Sequence, residues 1–248
     1  MSKLKLIVIL LLVCAVAFAA GSSIAYFTDA KENTDVFTVG NIYITLTQTA
    51  VKADENGNLV ADTESERIEG NDLGTPTVTN NGKLFPGKTI AKDPTIKNVG
   101  NDDAWVCAKV IIEDGSRDIH KLYGYEGYAE IDIEGLLVGG LLDEQVHVGV
   151  WNGMQDVCYN ENYAMVQVAD AVSGKYEFYF FILEKTEKDD EIVVFEQIFI
   201  DEFFGNEEMK ELAELKITVQ AFAVQSFGFS DCYKAMRTAF GDHFKDCK

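Results

Sequence analysis

The feature that most constrains this fold is a series of short apolar segments with strand-like periodicity, separated by polar turns. Residues 105–112 are almost wholly apolar and rich in β-branched side chains, which predicts a central strand. Residues 36–49 alternate between apolar and polar side chains, and Gly40 interrupts the phase as a bulge would. Six further segments have related strand patterns: residues 130–137, 145–151, 163–168, 176–183, 191–200 and 215–225.

Turn signals separate these segments. Asn56-Gly57 is a strong tight-turn signal, and residues 61–82 are polar enough to predict a long loop. Residues 98–103 are predicted to connect the two strands of a hairpin, and residues 184–190 to form a charged turn between two further strands. About nine short strands with few helices predict an all-β fold, an antiparallel jelly-roll-like β-sandwich.

Two short helices are predicted at the periphery of this sandwich. Asn206 is a good N-cap for a helix over residues 207–213, whose first turn is acidic, as the helix dipole favours. Ser230 is predicted to cap a C-terminal helix over residues 231–240. The apolar residues of this second helix recur at helical spacing, which predicts docking on the domain: Cys232, Ala235, Met236, Ala239 and Phe240.

The first 25 residues have the features of an export signal. Lys3 and Lys5 form a positive n-region, and residues 6–20 form an apolar core. A small-x-small signature, Ser-Ile-Ala, ends at Ala25. Cleavage is therefore predicted between Ala25 and Tyr26.

Two alternatives to cleavage stay open. Residues 6–27 carry no charge and are long enough for an uncleaved membrane anchor, and Cys14 is a candidate for lipoprotein acylation. The predicted organisation has four parts: a signal peptide over residues 1–25, an N-terminal arm over residues 26–35, a β-sandwich domain over residues 36–228, and a C-terminal helix over residues 229–248 that packs on the domain.

The chain is strongly acidic, with a formal charge of −20. Removal of the signal takes away Lys3 and Lys5 and leaves 19 basic against 41 acidic residues, a charge of −22. Such a charge disfavours binding to nucleic acid and to anionic lipid. It also predicts that any self-association depends on pH, salt or divalent cations, which relieve the repulsion between copies.

Four cysteines remain after the predicted cleavage: Cys107, Cys158, Cys232 and Cys247. An even number of cysteines in an exported chain permits two disulfides, with three possible pairings. The favoured pairing joins Cys232 to Cys247 and Cys107 to Cys158. Four free thiols are the alternative.

The sequence shows no catalytic, cofactor or metal motif, so we predict that the protein is not an enzyme. His120, His147 and His243 fit no His-Glu-x-x-His pattern and no metal-ligand spacing. His147 is predicted to face outward from its strand. Cys232, His243 and Cys247 are close enough in sequence to hold zinc together, but the disulfide is favoured. There is no Gly-x-Ser-x-Gly elbow and no phosphate-binding glycine loop.

Weak calcium binding at acidic turns is one further alternative. Asp102-Asp103 and Asp189-Asp190 both stand at predicted turns, where carboxylates are normally solvated.

Several segments together resemble the TasA/camelysin family of Gram-positive bacteria, whose members are exported through a SipW-type signal peptidase. Where the family commonly has Arg, this chain has Cys107. The resemblance rests on the following segments: Ala25-Tyr26-Phe27-Thr28-Asp29, Phe37-Thr38-Val39-Gly40-Asn41-Ile42, Leu84-Phe85-Pro86-Gly87, residues 92–100, Trp105 to Val110, Tyr176 to Leu183, and Ile217 to Gln225.

The resemblance implies a jelly-roll subunit of protein fibres, secreted to the cell surface or the biofilm matrix. In such fibres an N-terminal segment of one subunit completes a sheet of the next, which here assigns the donor arm to Tyr26, Phe27, Thr28 and Asp29. The implied partners are copies of the chain or related fibre subunits, and the signal peptidase during export. No cofactor is implied.

Two other functions stay open at this point. One is a monomeric binding or accessory protein at the cell surface. The other is a metalloprotease, because some relatives carry that label. The three histidines argue against the protease, since a zinc hydrolase needs about three clustered protein ligands.

Overall fold

The computed structural model describes residues 28–31, 42–56, 59–69, 86–114, 123, 132–143, 147–151, 154–170, 174–212 and 215–247. This part of the chain is mostly antiparallel strands with a few short helices, so the all-β prediction is confirmed. The strands are β1 (Thr28–Lys31), β2 (Ile44–Gln48), β3 (Ala50–Ala53), β4 (Leu59–Asp62), β5 (Ile68–Glu69), β6 (Thr89–Ala91), β7 (Thr95–Asn98), β8 (Ala104–Asp114), β9 (Leu137–Val138), β10 (His147–Trp151), β11 (Met154–Tyr159), β12 (Tyr163–Asp170), β13 (Lys175–Ile182), β14 (Glu191–Val193), β15 (Gln197–Phe199) and β16 (Leu215–Gln225). The helices are α1 (Ile133–Leu136), α2 (Asn206–Leu212) and α3 (Cys232–Ala239).

A seven-stranded antiparallel sheet forms the centre of the fold, in the order β1-β16-β8-β13-β12-β11-β10. β8 lies inside this sheet, as its apolar composition predicted, and pairs with β16 over eleven residues, from Leu215 opposite Asp114 to Gln225 opposite Ala104. Strands buried on both faces form near-continuous apolar runs, which explains why β8 contains so few polar residues.

Three smaller sheets have the orders β14-β7-β2-β5, β6-β15-β9 and β3-β4. The β3–β4 hairpin contains the predicted Asn56 turn, although Gly57 lies outside the described residues.

The hairpin predicted across residues 98–103 is wrong, because β7 and β8 belong to different sheets. The side-chain amide of Asn98 donates to the carbonyl oxygens of Asp102 (3.0 Å) and Thr186 (2.9 Å), so this turn carries the chain between sheets. Residues 184–190 likewise join β13 to β14, which lie in different sheets.

The main core lies between one face of the seven-stranded sheet and the smaller sheets. Its members alternate along the long strands, so every second residue faces inward. They include Val106, Ala108, Val110, Ile112, Phe178, Phe180, Ile217, Val219, Ala221 and Ala223 from the large sheet, and Ile44, Leu46, Ile90, Ile96, Leu137 and Ile198 from the smaller ones.

The opposite face of the large sheet holds a second apolar cluster, the outer cluster, which α3 and the residues after it cover. Three residues of the predicted helix stripe are buried there, so docking of this helix is confirmed: Cys232, Ala235 and Met236. The N-cap prediction is wrong by one residue, because Asp231 accepts the hydrogen bond from the Lys234 amide (2.9 Å). Ser230 instead donates to the Asp231 carboxylate (2.8 Å).

Two other strand predictions need correction. Within residues 130–137, positions 133–136 form α1, because Asp132 caps it by accepting from the Glu134 and Gly135 amides (3.1 and 3.2 Å). Gly140 follows with a positive φ, and a Cβ there would collide with the Val193 carbonyl oxygen, so the backbone demands glycine. Residues 191–200 form two strands in different sheets, β14 and β15, rather than one.

The predicted signal peptide and most of the predicted arm lie outside the described residues. Within the described ranges, no helix combines the length and the apolar character needed to cross a bilayer.

Candidate assembly edge

The predicted arm contributes a strand to the edge of the large sheet. Thr28 and Asp29 lie in β1, which pairs antiparallel with β16, whereas Ala25, Tyr26 and Phe27 lie outside the described residues. The register places Thr28 opposite Val224, and the four-residue ladder ends where Lys31 stands opposite Ala221. The chain therefore satisfies this edge of its own sheet.

The stretch of β16 that β1 covers has the burial of an interior strand. All four of its residues are almost completely buried: Ala221, Phe222, Ala223 and Val224. Ala221 and Ala223 belong to the main core, whereas Phe222 and Val224 belong to the outer cluster. A stretch buried on both faces needs main-chain partners on both edges, and β8 supplies only one of them.

The register relates the positions of β1 to the two clusters that meet at β16. Thr28 and Ala30 stand opposite the outer-cluster residues Val224 and Phe222. Asp29 and Lys31 stand opposite the main-core residues Ala223 and Ala221.

An aromatic group from the C-terminal residues covers the outer side of this edge. We call Phe240, His243 and Phe244 the aromatic wall. Their rings lie 5.3, 5.4 and 5.2 Å from the ring of Phe222, within the distance range of favourable aromatic pairs. Phe222 is therefore held by three rings that follow it in sequence by about 20 residues.

A buried polar network lies beside the wall. Glu177 accepts hydrogen bonds from Lys109 Nζ (3.0 Å), from Lys175 Nζ (2.7 Å) and from the Tyr179 hydroxyl (2.6 Å). Burial opposes ionisation, but these three donors hold the pKa of Glu177 at about 2. The Tyr179 hydroxyl also lies 3.1 Å from the carbonyl oxygen of His243, so the network touches the C-terminal residues.

The four predicted disulfide cysteines are free thiols in the structure. Cys107, Cys232 and Cys247 are buried in the outer cluster, and burial raises the pKa of Cys247 to about 12, which disfavours the reactive thiolate. Cys232 Sγ donates to the Val106 carbonyl oxygen (3.1 Å), and the predicted Cys232–Cys247 disulfide is not formed.

The predicted Cys107–Cys158 pairing is wrong for geometric reasons. Register places Cys158 opposite Met165, Met165 opposite Phe180, and Phe180 opposite Ala108, so Cys158 is level with Ala108. Three strand spacings correspond to about 14 Å. Moreover, Cys158 packs against the main core, whereas Cys107 faces the outer cluster. A disulfide needs Cα atoms within about 7 Å.

Neither of the two described histidines lies in a cluster of metal-ligating side chains. His120 lies outside the described residues, His147 stands at the start of the edge strand β10, and His243 packs against Phe222. In the described ranges, no group of three or more His, Cys, Asp or Glu residues has the arrangement of a metal site.

The acidic turns have local hydrogen-bonding roles. Asp190 accepts from the Glu187 amide (2.8 Å), and Asp189 has a positive φ, as turn residues often do. Nearby, a cleft of about 540 Å³ is lined by acidic side chains that include Glu184 and Glu196. Its lining also contains Lys185 and Thr186 but no histidine, cysteine or serine.

No protein-family model, no curated protein and no solved structure matches this chain.

Proposed function

We propose that this chain is a secreted structural subunit of fibres at the cell surface or in a biofilm matrix. In this proposal the β domain is a jelly-roll-like sandwich, and each subunit donates its N-terminal arm to the β16 edge of the next copy. The observation that carries the proposal is the pairing of β1 with β16 across a stretch buried on both faces. The resemblance to the TasA/camelysin family supports it from the sequence side.

Arm donation follows from the chemistry of a sheet edge. The same main-chain hydrogen bonds form whether β1 comes from the same chain or from a second copy. Exchange therefore changes the covalent connection without changing the ladder, as in domain swapping. Because one copy donates the arm and another accepts it, the contact is head-to-tail and produces an open filament.

The tether is long enough for donation. Ten residues, 32–41, separate the end of β1 at Lys31 from the next described residue, Ile42. Ten residues span at most about 35 Å when fully extended, which is comparable with the width of a small domain. An arm on such a tether can therefore reach the edge of a neighbouring copy.

Export fits the same proposal. A SipW-type signal peptidase would cleave between Ala25 and Tyr26, which creates a free N-terminus only two residues before β1. Before cleavage the arm remains joined to an apolar signal segment. The arm would then become available for donation only after the chain has left the cell.

Deletion of the arm tests the proposal directly. The chain from Tyr26 to Lys248 should form filaments under electron microscopy, whereas the chain from Val36 should stay monomeric and folded, with a cooperative melting transition. A second control replaces residues 26–35 with ten Gly and Ser residues, which keeps the length but removes the strand sequence. Filaments that grow from either altered chain would contradict the donation mechanism.

A monomeric cell-surface binding or accessory protein is the second candidate. The observation in its favour is that β1 already completes the β16 edge within one chain. This candidate predicts a monomer at every concentration, salt and pH tested, measured by sedimentation and electron microscopy. Filaments from the chain that begins at Tyr26 would rule it out.

A further inference from the structure

Three of the four described thiols lie in the outer cluster, on one face of the large sheet. Cys107 belongs to β8, Cys232 begins α3, and Cys247 follows that helix. All three side chains are almost completely buried, whereas Cys158 packs against the main core. The fold therefore places three free thiols, from distant parts of the sequence, beneath one terminal cover.

A hydrogen bond fixes the position of Cys232 relative to Cys107. Cys232 Sγ donates to the carbonyl oxygen of Val106 (3.1 Å), the residue immediately before Cys107. In a trans peptide this oxygen lies about 3 Å from the next Cα atom, so the Cys232 sulfur is within about 6 Å of the Cα atom of Cys107. The Cys107 side chain faces the same cluster. A change of rotamer and a small shift of α3 are enough to bring the two sulfurs to bonding distance.

We propose that Cys107 and Cys232 form a disulfide when the chain meets a low-molecular-weight disulfide, and that this bond staples α3 to β8. The Cys232 thiolate attacks one sulfur of the small disulfide and releases one small thiolate. The Cys107 thiolate then attacks Sγ of Cys232 and displaces the second. The two cysteines are oxidised, the small disulfide is reduced, and the two cysteine protons end on the two released thiols.

The closed cover protects both thiols from this reaction. Burial raises the pKa of Cys107 and that of Cys232, and the nearby thiols of Cys232 and Cys247 raise the pKa of Cys107 further. Because the thiolate is the reactive form, oxidation needs a transient opening of the segment that covers the outer face. Once the bond has formed, α3 can no longer leave β8. Oxidation therefore fixes a cover that could previously open.

The pairing that forms distinguishes a folded chain from an unfolded one. In an unfolded chain Cys232 and Cys247 pair most readily, since the shortest loop costs the least entropy to close. The folded structure instead holds Cys232 beside the peptide that precedes Cys107. The staple concerns the outer face alone, so it does not depend on arm donation or on filaments.

Oxidation of the chain from Tyr26 to Lys248 tests the proposal. The reduced chain is incubated with oxidised glutathione under native conditions, the remaining thiols are alkylated, and tryptic peptides are analysed by mass spectrometry without reduction. Trypsin leaves each of the four cysteines on a different peptide. The expected product links peptide 98–109 to peptide 217–234, which contain Cys107 and Cys232. The same treatment in urea should give mainly the Cys232–Cys247 pair.

The bond should also change the stability of the cover. Oxidation should raise the melting temperature by roughly 5–15 °C and slow hydrogen exchange of the α3 amides about tenfold or more. Cys158→Ser is the matched control, because Cys158 packs on the other side of the sheet, and its oxidation should match that of the parent. Cys232→Ala should abolish both effects.

Asp231→Ala tests the opening step. Loss of this cap should raise the rate of staple formation about fivefold at a fixed glutathione concentration, because α3 opens more often. An unchanged rate would contradict oxidation through an open cover.

The linked peptides of the folded parent chain decide the pairing without any substitution. A main product that joins Cys247 to either of the other two thiols, or no linked product while the chain stays folded, overturns the proposal. Filaments are scored separately by electron microscopy, so their absence would overturn the proposed function and leave the staple standing.

Discussion

The two faces of the large sheet are buried in different ways. The inner face is covered by three smaller sheets, and its core consists of aliphatic and aromatic residues from many parts of the chain. The outer face is covered by α3 and the residues that follow it, within positions 231–247. It contains rings, thiols and a buried ion network centred on Glu177.

The packing on the inner face holds the sheets of the domain together, whereas the segment that covers the outer face can open without separating them. Loss of one inner residue affects packing between sheets that the whole fold depends on. The outer cover is one continuous segment of the chain, so it can open locally without separating the sheets from one another. β16 contributes to both faces, so the edge that binds the arm is stable on one side and adjustable on the other.

A matched pair of phenylalanine substitutions tests this contrast with the largest expected effect. Phe180 and Phe244 are both completely buried, on the inner and outer faces respectively. Phe180→Ala should lower the free energy of unfolding by about 3–5 kcal/mol. Phe244→Ala should cost less, because the segment that carries it can detach while the sheets stay folded. Urea unfolding measures both, and equal losses would contradict the contrast.

The pH dependence of stability in a Glu177 variant tests the contribution of the outer face, and the expected effect is intermediate in size. Its pKa is held at about 2, below the ordinary value of 4.5, so the ionised form stabilises the fold above pH 4.5. That contribution is lost as pH falls from 4.5 towards 2. Glu177→Gln should cost about 2 kcal/mol at pH 7, and its difference from the parent should shrink across this window.

Glu113→Gln is the control for that experiment. Its carboxylate lies 3.8 Å from Lys216 Nζ, and both side chains are about half exposed, so the pair contributes little. Thermal melts between pH 2 and 7 give the comparison. A Glu177→Gln variant that differs from the parent by the same amount at all pH values would show that the network does not act through charge.

The helix cap gives the smallest expected effect. Asp231→Ala removes the side chain that accepts from the Lys234 amide and should cost about 1 kcal/mol. The loss should be confined to the C-terminal segment, as faster hydrogen exchange of α3 amides with little change in the sheets. Ser230→Ala should have a much smaller effect, since the exposed Ser230 hydroxyl donates to the Asp231 carboxylate and accepts from Lys234 Nζ but is not the cap of α3. A larger loss for Ser230→Ala than for Asp231→Ala would instead support Ser230 as the N-cap of α3.

Much of the β structure was predictable because its signals are local. The apolar run of β8 and the periodicity of β16 depend on residues that are neighbours in sequence. The turn at residues 98–103 was mistaken for a hairpin because its geometry depends on Thr186, which is 88 residues away from Asn98. Local patterns cannot indicate which sheet a strand joins.

The candidate site was predicted only in part. An N-terminal arm over residues 26–35 was predicted from the sequence, but the pairing of Thr28–Lys31 with β16 depends on long-range register. The aromatic wall was missed, although Phe240 and Phe244 are four residues apart, the spacing that places two rings on the same side of a helical segment. Their target, Phe222, becomes visible only once the C-terminal segment is placed over β16. The Cys107–Cys158 pairing failed for the same reason, since sequence does not give strand order.

Under the proposed function, the ten-residue tether between Lys31 and Ile42 affects how fast filaments assemble. A short tether keeps the arm at an effective concentration in the millimolar range around its own edge. On that proposal, the arm of each secreted copy would compete with the arms of neighbouring copies for its own edge, so dilute subunits would stay closed and diffuse away from the cell as monomers. Filaments would then start where secretion is locally dense, and the growth curve would begin with a lag that shortens steeply as subunit concentration rises.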